Sequence, residues 1–335
     1  MLEHGGRVRA AAMRHGIPEA DWLDLSTGIN PQGWPVPALP ASVWQRLPEE
    51  DDGLEAAAAG YYGNAALLPL PGSQAAIQSL PLFLPRASIA CLGPVYNEHP
   101  QAWQRAGHRL RLLRDAPLAR ALAAATPYVL LCNPNNPTAR AQPRAALLAA
   151  AQERAARGGW LIVDEAFIDP TPEESLAPLA GTAAAPNLIV LRSLGKFFGL
   201  AGIRVGFIFA AEKIRAQLAE HLGPWAVAGP SREAARLALN DRSWQENTRA
   251  ALLEQGRRLQ VLLAPLGEVR ATALFATLKE EKSAALHEFF ARRAILTRHY
   301  APEPLLRFGL PPDELGWQRL ATAIAEWKKD EKIVR

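Results

Sequence analysis

Cysteine is nearly absent from this sequence: Cys91 and Cys132 are the only two in 335 residues, each inside an apolar run that reads as a buried strand. So few thiols exclude a disulfide framework and suit a reducing compartment, with both expected as small core residues. Long hydrophobic runs are missing as well. No stretch approaches the roughly 20 uncharged apolar residues that cross a bilayer. The opening MLEHGGRVRAAAMRHG mixes charges and small residues where a signal peptide would be continuously apolar. A soluble, cytoplasmic protein with no membrane attachment is expected. A compact basic tract is also lacking. The net charge of +4 comes from scattered arginines such as Arg105, Arg109, Arg111 and Arg114, so no nucleic-acid partner is expected and a mild pull on anionic substrates is the economical reading.

What is present is an alternation of strands and helices. Short apolar runs near Ser88–Leu92, Arg109–Leu113, Tyr128–Asn133, Trp160–Asp164, Asn187–Arg192 and Arg204–Phe209 are separated by alanine-rich helical stretches such as Gln74–Leu84, Asn97–Ala106 and Arg144–Arg157. That pattern predicts an α/β fold with a mostly parallel central sheet and helices on both faces. Helices follow near Glu212–His221, Ser231–Ala238 and Trp244–Leu263. A weaker alternation then predicts strands at Leu274–Leu278, Ile295–Thr297 and Leu305–Phe308, with helices at Ser283–Arg293 and Pro312–Trp327, which is a smaller α+β domain. The first 50 residues carry Pro18, Pro31, Pro35, Pro37, Pro40 and Pro48 and should form an arm with one short helix. The expected division is 1–50 as arm and part of the small domain, 51–215 as a large cofactor-binding domain, and 216–335 as the C-terminal small domain.

Chemistry concentrates in four places. In SLGKFFGLAGIRVGF, Ser193, Lys196 and Arg204 give one loop an amine and two anion-binding groups, among glycines that let backbone approach a ligand. Those groups suit a phosphate-bearing carbonyl cofactor, because a lysine is a useful nucleophile toward a carbonyl. Read alone, such a lysine is an ordinary surface residue. Asp164 ends a strand at the carboxyl edge of the sheet, where it could pair with a protonated pyridine nitrogen or simply cap a helix. Asn136, held in NPNNPT between Asn135 and Pro137, can donate from its amide in a rigid turn. Gly72, Ser73 and Gln74 open a helix whose free N–H groups favour a phosphate, and Ser73 is equally a plain helix cap.

The ordered set GSQ, NNPT, DEAF, SLGK and GIRVGF resembles that of aminotransferases dependent on pyridoxal 5′-phosphate (PLP), related to aspartate and histidinol-phosphate aminotransferases. The resemblance covers most of the chain and implies the aspartate aminotransferase-like fold and a homodimer. By it, Lys196 is the lysine that bonds the cofactor's aldehyde, Asp164 the partner of the pyridine nitrogen, and Asn136 the donor to the ring hydroxyl. Gly72, Ser73, Gln74, Ser193 and Arg204 surround the phosphate. Tyr96 stacks on the ring, with His99 the weaker claimant, and Arg307 in LLRFG binds the substrate α-carboxylate. Phe167, Leu47 and Ala139 depart from the family's usual tyrosine, tyrosine and glycine. The last is minor only if Ala139 is not left-handed.

Within the family, EHGG at Glu3–Gly6, LDLSTGINPQG, DEAFID and GPW at Gly223–Trp225 are most similar to the threonine-phosphate decarboxylases of cobalamin biosynthesis. This implies a small phosphorylated amino acid, L-threonine O-3-phosphate, as substrate and (R)-1-amino-2-propanol O-2-phosphate as product. His4 and Asn30 would grip the substrate phosphate so that the carboxylate is turned out of the ring plane, or else serve as a capping or packing histidine and a turn residue before Pro31, and Trp225 could line the pocket or be a core tryptophan. No metal is expected. The main alternative is a histidinol-phosphate aminotransferase, where a NENP-type phrase would stand in place of EHGG and STGINP. Ser193 and Lys196 also spell S-x-x-K, but the companion SDN and KTG strings of serine acyl-transfer enzymes do not occur.

Overall fold

The computed structural model describes residues 4–124 and 126–333, with side chains to residue 329. Its strands are β1 Leu23–Asp24, β2 Leu67–Leu70, β3 Ser88–Gly93, β4 Arg109–Arg114, β5 Tyr128–Cys132, β6 Trp160–Asp164, β7 Leu188–Ser193, β8 Gly206–Phe209, β9 Glu268–Ala271, β10 Phe275–Lys279, β11 Ile295–Leu296, β12 Arg298–His299 and β13 Leu305–Gly309. Its helices are α1 Val8–His15, α2 Ser42–Gln45, α3 Leu54–Tyr62, α4 Ser73–Phe83, α5 Glu98–Arg105, α6 Leu118–Ala123, α7 Arg144–Ala156, α8 Glu212–Leu222, α9 Gly229–Asn240, α10 Arg242–Leu263, α11 Ser283–Ala291 and α12 Glu314–Ile333.

The chain forms two compact units. The larger comprises Gly33–Asn136 and Arg140–Arg249; the smaller takes the residues up to Gln32, Pro137–Ala139 and those from Ala250. This differs from the division expected at residues 50 and 215, for local reasons. Trp34 joins the larger unit through bonds to the Phe198 carbonyl (2.8 Å) and the Asp241 carboxylate (3.0 Å). α9 stays there because Arg232 reaches Asp52 and Glu55 at 2.5–2.9 Å beside α3. The proline-rich start is also more structured than one short helix, containing α1, α2 and β1.

Seven strands cross the larger unit in the order β2-β8-β7-β6-β5-β3-β4. The run from β4 to β7 is parallel, while β8 is antiparallel to both β7 and β2. All five residues of β5 are buried, as a strand covered on both faces requires. Ile77, Leu80, Trp103, Leu130, Ile162, Ile189, Ile208 and Leu218 meet in one apolar cluster. Each such side chain contributes about 1.5–3 kcal/mol of burial. β2 was not among the expected strands because Pro69 interrupts it. It sits at the sheet edge, where a residue without an N–H is tolerated. The other edge, β4, carries Arg109, Arg111 and Arg114.

In the smaller unit, β12-β13-β10-β9 form an antiparallel sheet, and β1 pairs with β11 in parallel. α11 packs against β12, β13 and α12. Trp22, Ala291 and Ala294 gather Val8 and Ala12 of α1 into a second apolar cluster.

Candidate active site

The direction of the strands decides where the functional side chains meet. β3, β5, β6 and β7 run parallel, so their carboxyl ends share one edge of the sheet, the usual ligand edge of open α/β sheets. Tyr96 follows β3, Asn136 follows β5, Asp164 ends β6, and Ser193 ends β7 with Lys196 three residues on. β8 runs the other way, so its amino end, with Arg204 just before it, lies at that same edge: Ser193 pairs with Gly206, and so does Leu70 at the end of β2. Ser73, Gln74, Tyr96, Asn136, Asp164, Ser193, Lys196 and Arg204 line one cavity together with Cys132 and Phe167. The cavity is a cleft that opens to solvent, with polar groups converging on it.

Two glycines make the anion side of this cavity possible. Gly72 has φ +76°, and a Cβ there would lie 2.5 Å from the Arg204 guanidinium. At Gly206 a Cβ would lie 2.4 Å from the Ser73 backbone nitrogen. The first turn of α4 is thereby drawn against β8, and Gly72 at its amino end lies beside Arg204. Gln74 is tied into this wall by its amide, which donates to Glu98 (3.1 Å), and by the Tyr96 hydroxyl, which donates to its oxygen (3.4 Å).

On the opposite side Asp164 is 5% exposed. One carboxylate oxygen lies 2.8 Å from His99 Nε2 and the other accepts the Ala166 N–H at 3.0 Å. His99, considered above as a stacking group, is thus a partner of the acid. Burial, with Glu98 and Asp164 adding their charge, pushes the Tyr96 phenol up to about 12. Burial and the same acid push the Cys132 thiol well above its usual range. His99, Cys132 and Asp164 offer ligand atoms within 4.8 Å of one another. The Lys196 amine stands 5.7 Å from the centre of the Phe167 ring.

Behind this surface lies a buried ionic network. Arg192, adjacent in the chain to Ser193, donates to Asp169 (2.5 Å), Ser175 (2.8 Å) and Glu165 (3.3 Å), and Glu165 adjoins Asp164. Tyr61 donates to Asp169 at 3.0 Å, and Arg249 donates to the Tyr61 oxygen and the Asp169 carbonyl. Alternation along β6 and β7 turns these charges away from the cavity that their neighbours face.

His4, Asn30 and Arg307 belong to the smaller unit. Arg307 is 6% exposed and donates to the Ser26 carbonyl at 2.7 Å. The Ser26 hydroxyl oxygen accepts the Gly6 N–H at 2.7 Å, and Gly309 donates to the Leu25 carbonyl. Gly5, directly after the half-buried His4, has no room for a Cβ against the Ser26 carbonyl. EHGG, STG and LLRFG are therefore neighbours in space, although Glu3 lies outside the described residues. Asn30 is buried and its oxygen accepts the Gln32 N–H at 2.9 Å, the bond of a turn-forming asparagine. Arg298, not singled out from sequence, pairs directly with Arg307 across β12 and β13. Trp225 does not line the lysine's cavity. It is 58% exposed, left-handed at φ +59°, and borders a separate cavity with Pro48, Leu68 and Arg232.

An amine, a buried carboxylate and an anion-binding helix end around one aromatic-walled cavity fit a phosphorylated pyridine aldehyde. The chain is 50% identical over 331 residues to a threonine-phosphate decarboxylase of Pseudomonas aeruginosa, covering 98% of this chain and 99% of that protein. It is 43% identical over 335 residues to a threonine-phosphate decarboxylase of Sinorhizobium sp, covering 97% and 98%. Among solved structures, a histidinol-phosphate aminotransferase from Sinorhizobium meliloti in complex with pyridoxal-5′-phosphate superposes with a TM-score of 0.83 at 21% identity, covering 97% of this chain and 95% of that one. The model of the aminotransferase class I and II family matches residues 22–303. A match over most of the chain, joined to near-full-length identity of this degree, means that the protein belongs to the aminotransferase class I and II family.

Proposed function

We propose that the protein is a PLP-dependent decarboxylase that converts L-threonine O-3-phosphate to (R)-1-amino-2-propanol O-2-phosphate and carbon dioxide in cobalamin biosynthesis. The observation that carries this reading is the full-length identity of 50% to a threonine-phosphate decarboxylase, on a chain whose lysine, acid and anion-binding residues line one cavity.

When bound, the cofactor supplies an electrophilic aldehyde and a ring that takes up the electron pair left at Cα as carbon dioxide departs. Lys196 offers the amine for that aldehyde and afterwards carries a proton to Cα through Nζ. Asp164, kept in place by His99 and the Ala166 N–H, holds a proton at the pyridine nitrogen. Ser73, Gln74, Ser193 and Arg204 would bind its phosphate, with Gly72 giving Arg204 its space, and Tyr96 and Asn136 would hold its ring and ring hydroxyl. Phe167 offers no hydrogen bond there. For the substrate's own anionic groups the smaller unit offers Arg307, Arg298, His4 and Asn30.

A cytoplasmic location fits two buried free cysteines and the lack, among the described residues, of any helix long and apolar enough to cross a membrane. A homodimer fits the exposure of Trp44, Leu47 and Trp225 on the larger unit.

The test is product analysis. Cofactor-loaded enzyme given L-threonine O-phosphate without a keto acid should release one carbon dioxide per amine phosphate over many turnovers, and Lys196→Ala should abolish it. Turnover that requires a keto-acid acceptor and yields no carbon dioxide would establish the aminotransferase reading instead.

A further inference from the structure

Arg298 and Arg307 stand directly opposite each other on β12 and β13, so both side chains leave the same face of the sheet. Like charges in that arrangement destabilise a strand pair. Tyr300, two residues beyond Arg298 and hence on the same face, meets both. The Arg298 guanidinium carbon is 5.1 Å from the centre of its ring and that of Arg307 is 5.7 Å away. Both are within the roughly 6 Å at which a cation is attracted to an aromatic face. The Tyr300 N–H bonds the Leu305 carbonyl at 3.1 Å, which fixes the residue at the mouth of the hairpin. Arg307 has a second support in the Phe275 ring at 5.4 Å and a third in the Ser26 carbonyl. Arg298 lies over the ring of Tyr300 as well.

We propose that Tyr300 is a positioning residue that braces the Arg298 and Arg307 guanidiniums as a pair and so sets specificity for an amino acid bearing a second, phosphate anion. This rests on the substrate class assigned above and adds the residue that selects it. Arg307 suffices for a lone carboxylate, because its other contacts hold it. Engaging a phosphate as well requires Arg298 at a fixed distance from Arg307, and the shared ring supplies that constraint. A flat, weakly hydrated guanidinium rests on an aromatic face in a way that an ammonium does not.

The experiment is calorimetric binding of L-threonine O-phosphate and of L-threonine to cofactor-loaded protein carrying Lys196→Ala, which does not turn over, with Tyr300 kept (the wild-type position) or replaced as Tyr300→Met and Tyr300→Phe. A cation–ring contact of about 0.5–2 kcal/mol corresponds to about a 2- to 30-fold change in affinity. Tyr300→Met should weaken the phosphorylated ligand by that factor and L-threonine by less than about twofold, while Tyr300→Phe restores the wild-type ratio. Equal weakening of both ligands, or none of either, overturns the proposal. Arg298→Lys keeps the charge and alters the stacking, so it decides the matter if Tyr300→Met fails to fold: the proposal requires the same selective loss, and unchanged selectivity refutes it. A wild type that releases no carbon dioxide would remove the assigned activity but leave this comparison of affinities to be read on its own.

Discussion

Ala139 shows how much one residue can alter the local balance. It follows NNPT, where the family usually has glycine, and its φ is +56°. The condition under which the replacement would be minor is therefore not met. A left-handed conformation costs an L-residue about 1–2 kcal/mol, and glycine returns about 0.5–1 kcal/mol of that as extra freedom in the unfolded chain. Ala139→Gly should raise the unfolding free energy by about 0.5 kcal/mol, measured by urea denaturation of the cofactor-loaded enzyme. A loss of stability would mean that the methyl group packs better than its backbone angle suggests. At this scale the sequence was informative where several motifs stand in a fixed order, as with those that bring Lys196, Asp164 and Asn136 to one cavity. It was silent where the role depends on a distant neighbour. Nothing in the spacing of His99 and Asp164 announces a 2.8 Å contact, and the pairing of Arg298 with Arg307 depends on strand register.

Among elements, the alternating core was legible because parallel strands buried on both faces are continuous apolar runs. β2 was hidden by Pro69, and α3 by an alanine-rich composition that gives little amphipathic contrast. The ionic network tying β6 to β7 escaped notice because its members are 17 to 27 residues apart. Removing one partner of a fully buried pair costs about 3–5 kcal/mol. Asp169 is 0% exposed against a 2% exposed Arg192. Asp169→Asn should therefore lower stability by about 3 kcal/mol in the same assay, with Glu165 still facing the arginine. A change below about 0.5 kcal/mol would show that the network is dispensable.

Another element pair predicts a pH response. On α11, His287 donates to or accepts from Thr297 at 2.7 Å and stacks near His299. Burial first, and His299 second, bring its pKa down from 6.5 to about 4. The unfolded chain then takes up a proton before the folded one does. The contribution of neutral His287 is full above pH 6.5 and is lost as pH falls toward 4. Denaturation midpoints should decline over that window, and His287→Gln should flatten the decline; an unchanged slope in the variant would assign it to other groups.

For the whole molecule, the alternation of apolar runs and helical stretches pointed to an α/β fold with a second, smaller unit, but the boundaries depended on single side chains such as Trp34 and Arg232. Sedimentation at micromolar concentration should give twice the 36.3 kDa of the chain, and charged replacements at Trp44 and Leu47 should shift it toward monomer. A wild-type monomer would leave those exposed apolar side chains without the partner proposed for them.

The seven-stranded sheet bears on how such association can occur. One border strand contains an imino acid and the other presents three guanidinium groups, so neither margin offers a clean ladder of donors and acceptors to another chain. Growth by β-augmentation is disfavoured at both ends of this sheet, so its margins are poor templates for a further strand.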